Sequence, residues 1–266
     1  MSISTKQSNN NNNNVKLNNI NNRNLNIDSF LHSQQIRYEE QQQVNWEALY
    51  FTLHIGTYNI NSLAENGTKL SGILDWMLEN QVDIMALNET NLDQKNGLYK
   101  TPNEYKDEFY IYWSSKQQDK HKENVYFCIW VVYAVSQDKT ILHLTLDQLK
   151  KEMNKEVMRK KSNNIIHILL ADFNMIVNSQ IDRTPLQHSP RPKVYNDFEA
   201  IGLIDSYRKL NKEKIGTTYH KEGVSMRIDQ IWISRAYSNN LLNFSITPLT
   251  FIMHSNHDII TTTLDI

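Results

Sequence analysis

The sequence predicts an α/β sandwich of two β-sheets flanked by helices, and three observations carry that prediction. Short β-branched and aromatic runs alternate with stretches of helical period. Four strand candidates crowd residues 217–264. The second half holds too few helices for a parallel, doubly wound sheet.

Taken in order, residues 53–60 read as a strand. Leu70, Ile73, Leu74, Met77 and Leu78 then recur at i, i+3, i+4, i+7 and i+8, the stripe of an amphipathic helix. Residues 82–87 are a short apolar strand, and residues 110–113 and 126–135 are aromatic and β-branched, which favours strands. Thr145 with Gln148 makes a capping box ahead of a helix whose apolar face is Leu146, Leu149, Met153 and Val157. Its basic end, Arg159-Lys160-Lys161, suits the helix dipole. Residues 165–170 are a continuous apolar strand, and Pro192 fits the first turn of a helix running to Ile201. Strands at 217–220, 228–234, 244–251 and 259–264 complete the order.

Residues 1–45 differ in kind. Residues 9–14 are an unbroken Asn run, and Asn18-Asn19, Asn21-Asn22 and Gln41-Gln42-Gln43 continue the bias. Such a segment buries too little apolar surface to offset its ordering entropy, so a disordered leader is expected there. Residues 46–266, about 220 in all, then make one domain. Of the 266 residues, 28 are Lys or Arg and 29 are Asp or Glu, a formal net charge of -1. That balance excludes a globally basic nucleic-acid coat and an acidic solvating tail, leaving only a local basic groove. Cys128 stands alone, which excludes an internal disulfide and a cysteine-built zinc site. The start has no apolar stretch of the secretory kind, and the longest apolar run, 126–135, is about half of what a membrane-spanning helix needs. The expectation is an intracellular protein, nuclear or cytoplasmic, with no membrane span, and a monomer by default.

The chemistry is expected where polar residues end buried strands, because a rigid scaffold there holds loop residues in place. Asn59 ends the first strand, Glu89 follows the second, Asp172 and Asn174 follow residues 168–170, and Ser255-Asn256-His257-Asp258 precedes the last strand. A carboxylate directly after an apolar run is partly desolvated unless a cation or hydrogen bonds compensate. Glu89 and Asp172 together supply the oxygen donors that one hard divalent ion takes. Any one of these residues alone is as well explained by a cap or a turn; the combination is far more specific.

That combination resembles the endonuclease/exonuclease/phosphatase superfamily, whose motifs it repeats in order. Thr57-Tyr58-Asn59-Ile60-Asn61-Ser62-Leu63 is like the first-strand Asn motif, and Asp83-Ile84-Met85-Ala86-Leu87-Asn88-Glu89-Thr90 is similar to "DI-x-x-L-Q-E-T". Ala171-Asp172-Phe173-Asn174 resembles "G-D-F-N", and Arg227-Ile228-Asp229-Gln230-Ile231-Trp232-Ile233-Ser234 resembles "R-I-D-x-I-x-x-S". Ser255-Asn256-His257 stands where the family has "S-D-H". The resemblance implies a four-layer α/β sandwich, DNase I-like, and metal-dependent hydrolysis of a phosphoester with Mg²⁺, or Mn²⁺, as cofactor. It makes Glu89 the main metal ligand with Asn59 close by, Asp172 the general base, and Asn174 a hydrogen-bond donor to phosphate. It places His257 on the phosphate oxygens, held by Asp229, and Tyr133 near the phosphate by likeness to the "V-Y-x-P-S" tyrosine. Asn256 and Tyr219 fall on the phosphate or substrate side. Ile181-Asp182-Arg183, residues 202–208 and Thr217-Thr218-Tyr219 look like the endonuclease domain of non-LTR retrotransposons, itself similar to abasic-site endonucleases. DNA is then the expected partner. No reverse-transcriptase segment follows the last motif, as in a detached domain.

Three departures stand out. Asn256 replaces the Asp of "S-D-H", removing a carboxylate, and the adjacent Asp258 would point elsewhere because strand neighbours alternate faces. Ala134-Val135 replaces the small-Pro step after Tyr133. Between Trp113 and Tyr133, where the family has a Gly-rich hairpin and a further strand, residues 114–124 are polar and charged. A missing hairpin would leave a sheet edge exposed. The competing readings are a phosphatase or phosphodiesterase acting on a small or lipid phosphate, and a non-catalytic remnant of the fold. A basic, aromatic groove would favour the nuclease; its candidates are Lys116, Lys120, Lys122, Arg183, Arg191, Lys193 and Tyr219.

Overall fold

The computed structural model describes residues 2–5, 52–63, 68–92, 97, 102–113, 126–134, 139–159, 165–248 and 255–266. The strands are β1 Ser2–Thr5, β2 Thr52–Asn59, β3 Ile84–Asn88, β4 Phe109–Tyr112, β5 Tyr126–Tyr133, β6 Ile165–Asp172, β7 Arg183–Thr184, β8 Leu203–Asp205, β9 Tyr219–Lys221, β10 Val224–Met226, β11 Asp229–Ser234, β12 Leu241–Thr247 and β13 Ile259–Asp265. The helices are α1 Thr68–Glu79, α2 Lys139–Arg159, α3 Lys193–Ala200 and α4 Ser206–Leu210.

Three apolar clusters build the expected four layers. One sheet runs β12-β13-β2-β3-β1-β4 and the other β5-β6-β11-β8, with a small third sheet β7-β10-β9 beside them. Leu53 and Ile55 of β2 and Ile260 of β13 meet Ile166, Ile168 and Leu170 of β6 and Ile231 and Ile233 of β11 between the two large sheets. On the outer face of the first sheet, Leu70, Ile73, Leu74 and Met77 of α1 cover Tyr58, Met85, Leu87 and Phe109. On the outer face of the second, Leu142, Leu146, Leu149 and Met153 of α2 join Tyr195 and Phe198 of α3 over Leu169, Ala171 and Trp232. Strands buried on both faces have no polar side to alternate with, which is why β6 reads as a continuous apolar run.

Two expectations are corrected. Thr145 does not cap a helix: α2 already begins at Lys139, and the Thr145 hydroxyl donates to the carbonyl of Ile141 at 2.9 Å, one turn back. The leader is not structureless throughout, because Ser2–Thr5 is a strand paired on both sides, with β3 and with β4. The rest of the leader lies outside the described residues, as do residues 114–125. No helix among the described residues is long and apolar enough to cross a membrane.

One buried ionic network fixes the second sheet to its loops. Arg227, 1% exposed, donates through Nε to Asp182 at 2.7 Å and through Nη2 to Asp205 at 2.7 Å. Arg208 also pairs with Asp182. Asp182 is held below the ordinary carboxylate range: burial opposes its charge, but Arg227 and Arg208 outweigh it. Removing Arg227 would strip Asp205 of its cation and leave Asp182 to Arg208 alone. Arg227→Leu is therefore expected to cost about 3–5 kcal/mol in urea unfolding of the full chain. Adding Asp182→Asn and Asp205→Asn should recover part of that loss.

Candidate active site

Strand ends deliver the expected residues to one cleft of about 330 Å³, lined by Asn59, Asn61, Glu89, Tyr133, Asp172, Asn174, Tyr219, Lys221, Asn256 and His257. β2 and β3 run parallel with Asn59 opposite Asn88, so Asn59 and Glu89 leave the first sheet side by side. Backbone bonds continue this pairing into the loops: the N–H of Ile60 donates to the Asn88 carbonyl, and that of Ser62 to the Glu89 carbonyl at 2.7 Å. Lys69 caps the first loop, its Nζ lying 3.2–3.3 Å from the carbonyls of Ile60, Asn61 and Ser62. Asn61, Ser62, Glu89 and Asn174 all take positive φ, a conformation that costs energy outside glycine and gathers at functional sites.

From the second sheet, Asp172 ends β6 and Asp229 begins β11, and the two are direct cross-strand partners. Tyr133, at the end of β5, lies opposite Asp172 on the other side. The loop after Asp172 is held by buried donors: Tyr195 Oη and Gln230 Nε2 both donate to the Met175 carbonyl, at 2.9 and 3.0 Å. Asp172 and Asp229 with His257 each offer one atom within 4.8 Å of the others.

The hydrogen bonds assign distinct tasks. Asn59 Nδ2 donates to Glu89 Oε2 and to Asp172 Oδ2, both at 2.9 Å, bridging the two sheets. Its Oδ1 accepts from the Asn61 N–H at 2.9 Å. Asn59 thus orients both carboxylates at the place where the resemblance puts it beside the metal. Asp172 Oδ1 accepts from the Asn174 N–H at 2.9 Å, and Asn174 Nδ2 donates to the Ala134 carbonyl at 2.7 Å. Nδ1 of His257 faces Asp229 Oδ2 at 2.9 Å, which leaves Nε2 as the ring atom for the cleft. Thr218 donates to the same Oδ2 at 2.7 Å. The Ser255 hydroxyl donates to the Asn59 carbonyl at 2.8 Å and accepts from the His257 N–H at 3.1 Å, tying the first motif to the last.

These surroundings shift the ionisations. Burial, then the Asp229 carboxylate, push Asp172 from 3.8 up to about 7, against the pull of His257 and Asn59. Burial disfavours the charged ring of His257, but Asp229 overrides it and holds the imidazole above its ordinary value. Burial first, and then the charges of Glu89 and Asp172, push the Tyr133 phenol up to about 12, so it stays protonated beside Glu89.

Residues 56–240 match the model of the Endonuclease/Exonuclease/phosphatase family. The chain belongs to that family. Its members are metal-dependent phosphodiesterases and nucleases. Solved structures share the fold at low identity. A 3′ phosphatase, NExo from Neisseria, bound to product DNA hairpin, matches at TM-score 0.62 and 18% identity, covering 80% of this chain and 100% of that one. An AP endonuclease from Archaeoglobus fulgidus matches at 0.61 and 16% with the same coverage, and the 3′-5′ exonuclease NExo from Neisseria meningitidis at 0.59 and 18%, again over 80% and 100%. No curated protein matches the sequence.

The donor set of this family member suits a hard divalent cation. Asp172 and Asp229, both buried, bring carboxylate oxygens close together, and Asn59 ties the half-buried Glu89 to Asp172. Burial and the Asp229 charge raise Asp172, and a cation would relieve it. Asn256 is exposed at the rim, so the carboxylate that it replaces is missing from the cleft wall rather than from the buried cluster. Asp258 does not line the cleft; its Oδ2 faces His220 Nε2 at 2.9 Å. Of the groove candidates among the described residues, Tyr219 lines the cleft and the basic ones do not. Arg183 turns its Nη1 to the Met226 sulfur and Arg191 pairs with Glu199, while Lys193 opens α3. None of the three lines the cleft, and Lys116, Lys120 and Lys122 lie outside the described residues. Lys221 and Asn61 do line it and were not anticipated. Lys221 is two residues from Tyr219 along β9, on the same side of the strand, and that period was the available signal. A larger cavity of about 510 Å³ carries no comparable chemistry, because its acids Asp205 and Glu199 are already paired with Arg227 and Arg191.

A group whose folded pKa is raised contributes stability below its unfolded pKa and loses it as pH climbs to the folded one. For Asp172 that window runs from about 4 to about 7. In EDTA, wild-type protein should therefore lose stability relative to Asp172→Asn across that window, as read by urea midpoints of both proteins. A parallel pair of curves would contradict the burial and charge argument.

Proposed function

We propose that this chain is a Mg²⁺- or Mn²⁺-dependent phosphodiesterase that nicks DNA, of the kind found in retrotransposon endonuclease domains. One observation carries the reading: Asp172, Asp229 and His257 converge at the end of the second sheet while Asn59 ties Asp172 to Glu89 from the first. Glu89, with Asp172 behind it, would hold the cation, which supplies Lewis-acid polarisation of the phosphoryl oxygen and offsets developing charge.

The chain's own residues do the rest. Asp172 accepts a proton from the attacking water as the water oxygen bonds to phosphorus; the ester P–O bond breaks and the leaving oxygen departs as an alkoxide that takes a proton from solvent. His257, whose charged ring Asp229 favours, donates from Nε2 to a phosphoryl oxygen as negative charge builds there. Asn174, fixed at positive φ by Asp172 and Ala134, keeps a second amide hydrogen for the same group. Tyr133 holds Glu89 from the side. Lys221 and the Tyr219 ring, 4.9 Å from that of His257, form the substrate rim. The retrotransposon reading is supported by Ile181-Asp182-Arg183 and residues 202–208, whose Asp182, Asp205 and Arg208 form the buried network around Arg227. DNA as substrate is supported by the similar fold that binds a product DNA hairpin. A second reading, release of a terminal phosphate, is favoured by the 3′ phosphatase among those folds and by a cleft with one lysine.

The test is nicking of supercoiled plasmid by the full chain in Mg²⁺, Mn²⁺ or EDTA, beside a 3′-phosphorylated DNA hairpin. Metal-dependent nicking is expected, with Asp172→Ala slower by about 10²–10⁴-fold. Phosphate release without nicking would establish the second reading. Neither activity from a cooperatively folding chain would contradict both.

A further inference from the structure

β3 and β4 are not neighbours in the first sheet: Ser2–Thr5 lies between them, antiparallel to both. Ser2, Ile3 and Ser4 stand opposite Ala86, Met85 and Ile84, while Ser2 to Thr5 run opposite Tyr112, Ile111, Tyr110 and Phe109. A strand in this place is central, yet it comes from the far end of the chain, with residues 6–51 between it and β2. Among the described residues β1 is the only strand that joins β4 to the sheet. Without it, β4 would lose its ladder, along with the docking of Phe109 against the core beneath α1. β3 would present a bare edge along the strand that ends beside Glu89. Ser2 pairs with Ala86, near that end, so β1 braces β3 where it approaches the cleft.

An extended segment that completes a sheet from outside the local hairpin order is strand addition, in which main-chain bonds supply the affinity. We propose that the gap between β3 and β4 is a strand-acceptor site, that the chain's own segment Ser2–Thr5 is its occupant, and that this occupancy holds β3 in place under Glu89. The proposal concerns a surface and its ligand, an extended peptide, and is independent of which phosphoester the cleft hydrolyses.

Ser4 and Tyr110 are direct partners, and such pairs have Cα atoms close enough for a disulfide. In the full chain with Cys128→Ser, the pair Ser4→Cys and Tyr110→Cys should cross-link on oxidation within one molecule. No cross-link would overturn the site, and a cross-link only between two copies would overturn the assignment to the chain's own segment. Ile3→Pro, which cannot complete a central ladder, should speed hydrogen exchange at residues 84–88 and 109–112 by about tenfold or more while β6 stays protected. Unchanged exchange at residues 84–88 would overturn the bracing of β3. Neither measurement depends on catalysis, so both stand apart from failure of the proposed nuclease activity.

Discussion

Two carboxylates directly opposite each other across an antiparallel pair repel, and Asp172 and Asp229 are held in that relation at the closed end of the second sheet. Everything around them answers that repulsion. Thr218 and His257 take up Asp229, and Asn59 and the Asn174 N–H take up Asp172. Burial first, and then the remaining Asp229 repulsion, raise Asp172 to about 7. A site that stores like charge in this way is arranged for a cation and for proton transfer near neutrality. Because the repelling pair sits on β6 and β11, both buried on both faces, it cannot relax by moving apart.

The scaffold that keeps the pair in register lies one step away. Arg227 and Asp229 are separated by a single residue, and Arg227 is buried in a fork between Asp182 and Asp205. The same motif thus supplies an arginine for the buried network and an aspartate that faces His257 in the cluster at the strand end. Asn59 plays the equivalent part between the sheets, since a single amide group holds Glu89 from one and Asp172 from the other. The two halves of the sandwich are therefore coupled at the cleft itself, and not only through the apolar layer between them.

Much of this was legible in the sequence, for physical reasons. Buried strands announce themselves as apolar runs, and the polar residue that ends each run is conspicuous, so Asn59, Glu89, Asp172 and His257 could be found before their meeting was seen. The layers followed from the stripe of α1 and the runs of β2, β6 and β11. What stayed hidden depends on contacts distant in the chain. β1 offers four residues, two of them serine, and its identity as a strand lies in its partners at 84–86 and 109–112. The start of α2 was misplaced because Thr145 looks like a cap, whereas its hydroxyl turns back to Ile141 within the helix. Asn59 was recognised as a site residue, and the geometry adds which of its amide atoms faces the carboxylates. Arg183 and Arg191 turn to Met226 and Glu199 instead of the cleft, partners that a sequence does not announce.

The proposal that Glu89, with Asp172 behind it, holds a divalent cation has its most direct test in the unfolding midpoint of the full chain at pH 8 in EDTA and in rising Mg²⁺ or Mn²⁺. Preferential binding to the folded state raises the midpoint with metal concentration. The account predicts such a rise for the wild-type chain and its loss in Glu89→Gln. A midpoint indifferent to both metals, in a protein that unfolds cooperatively, would contradict it.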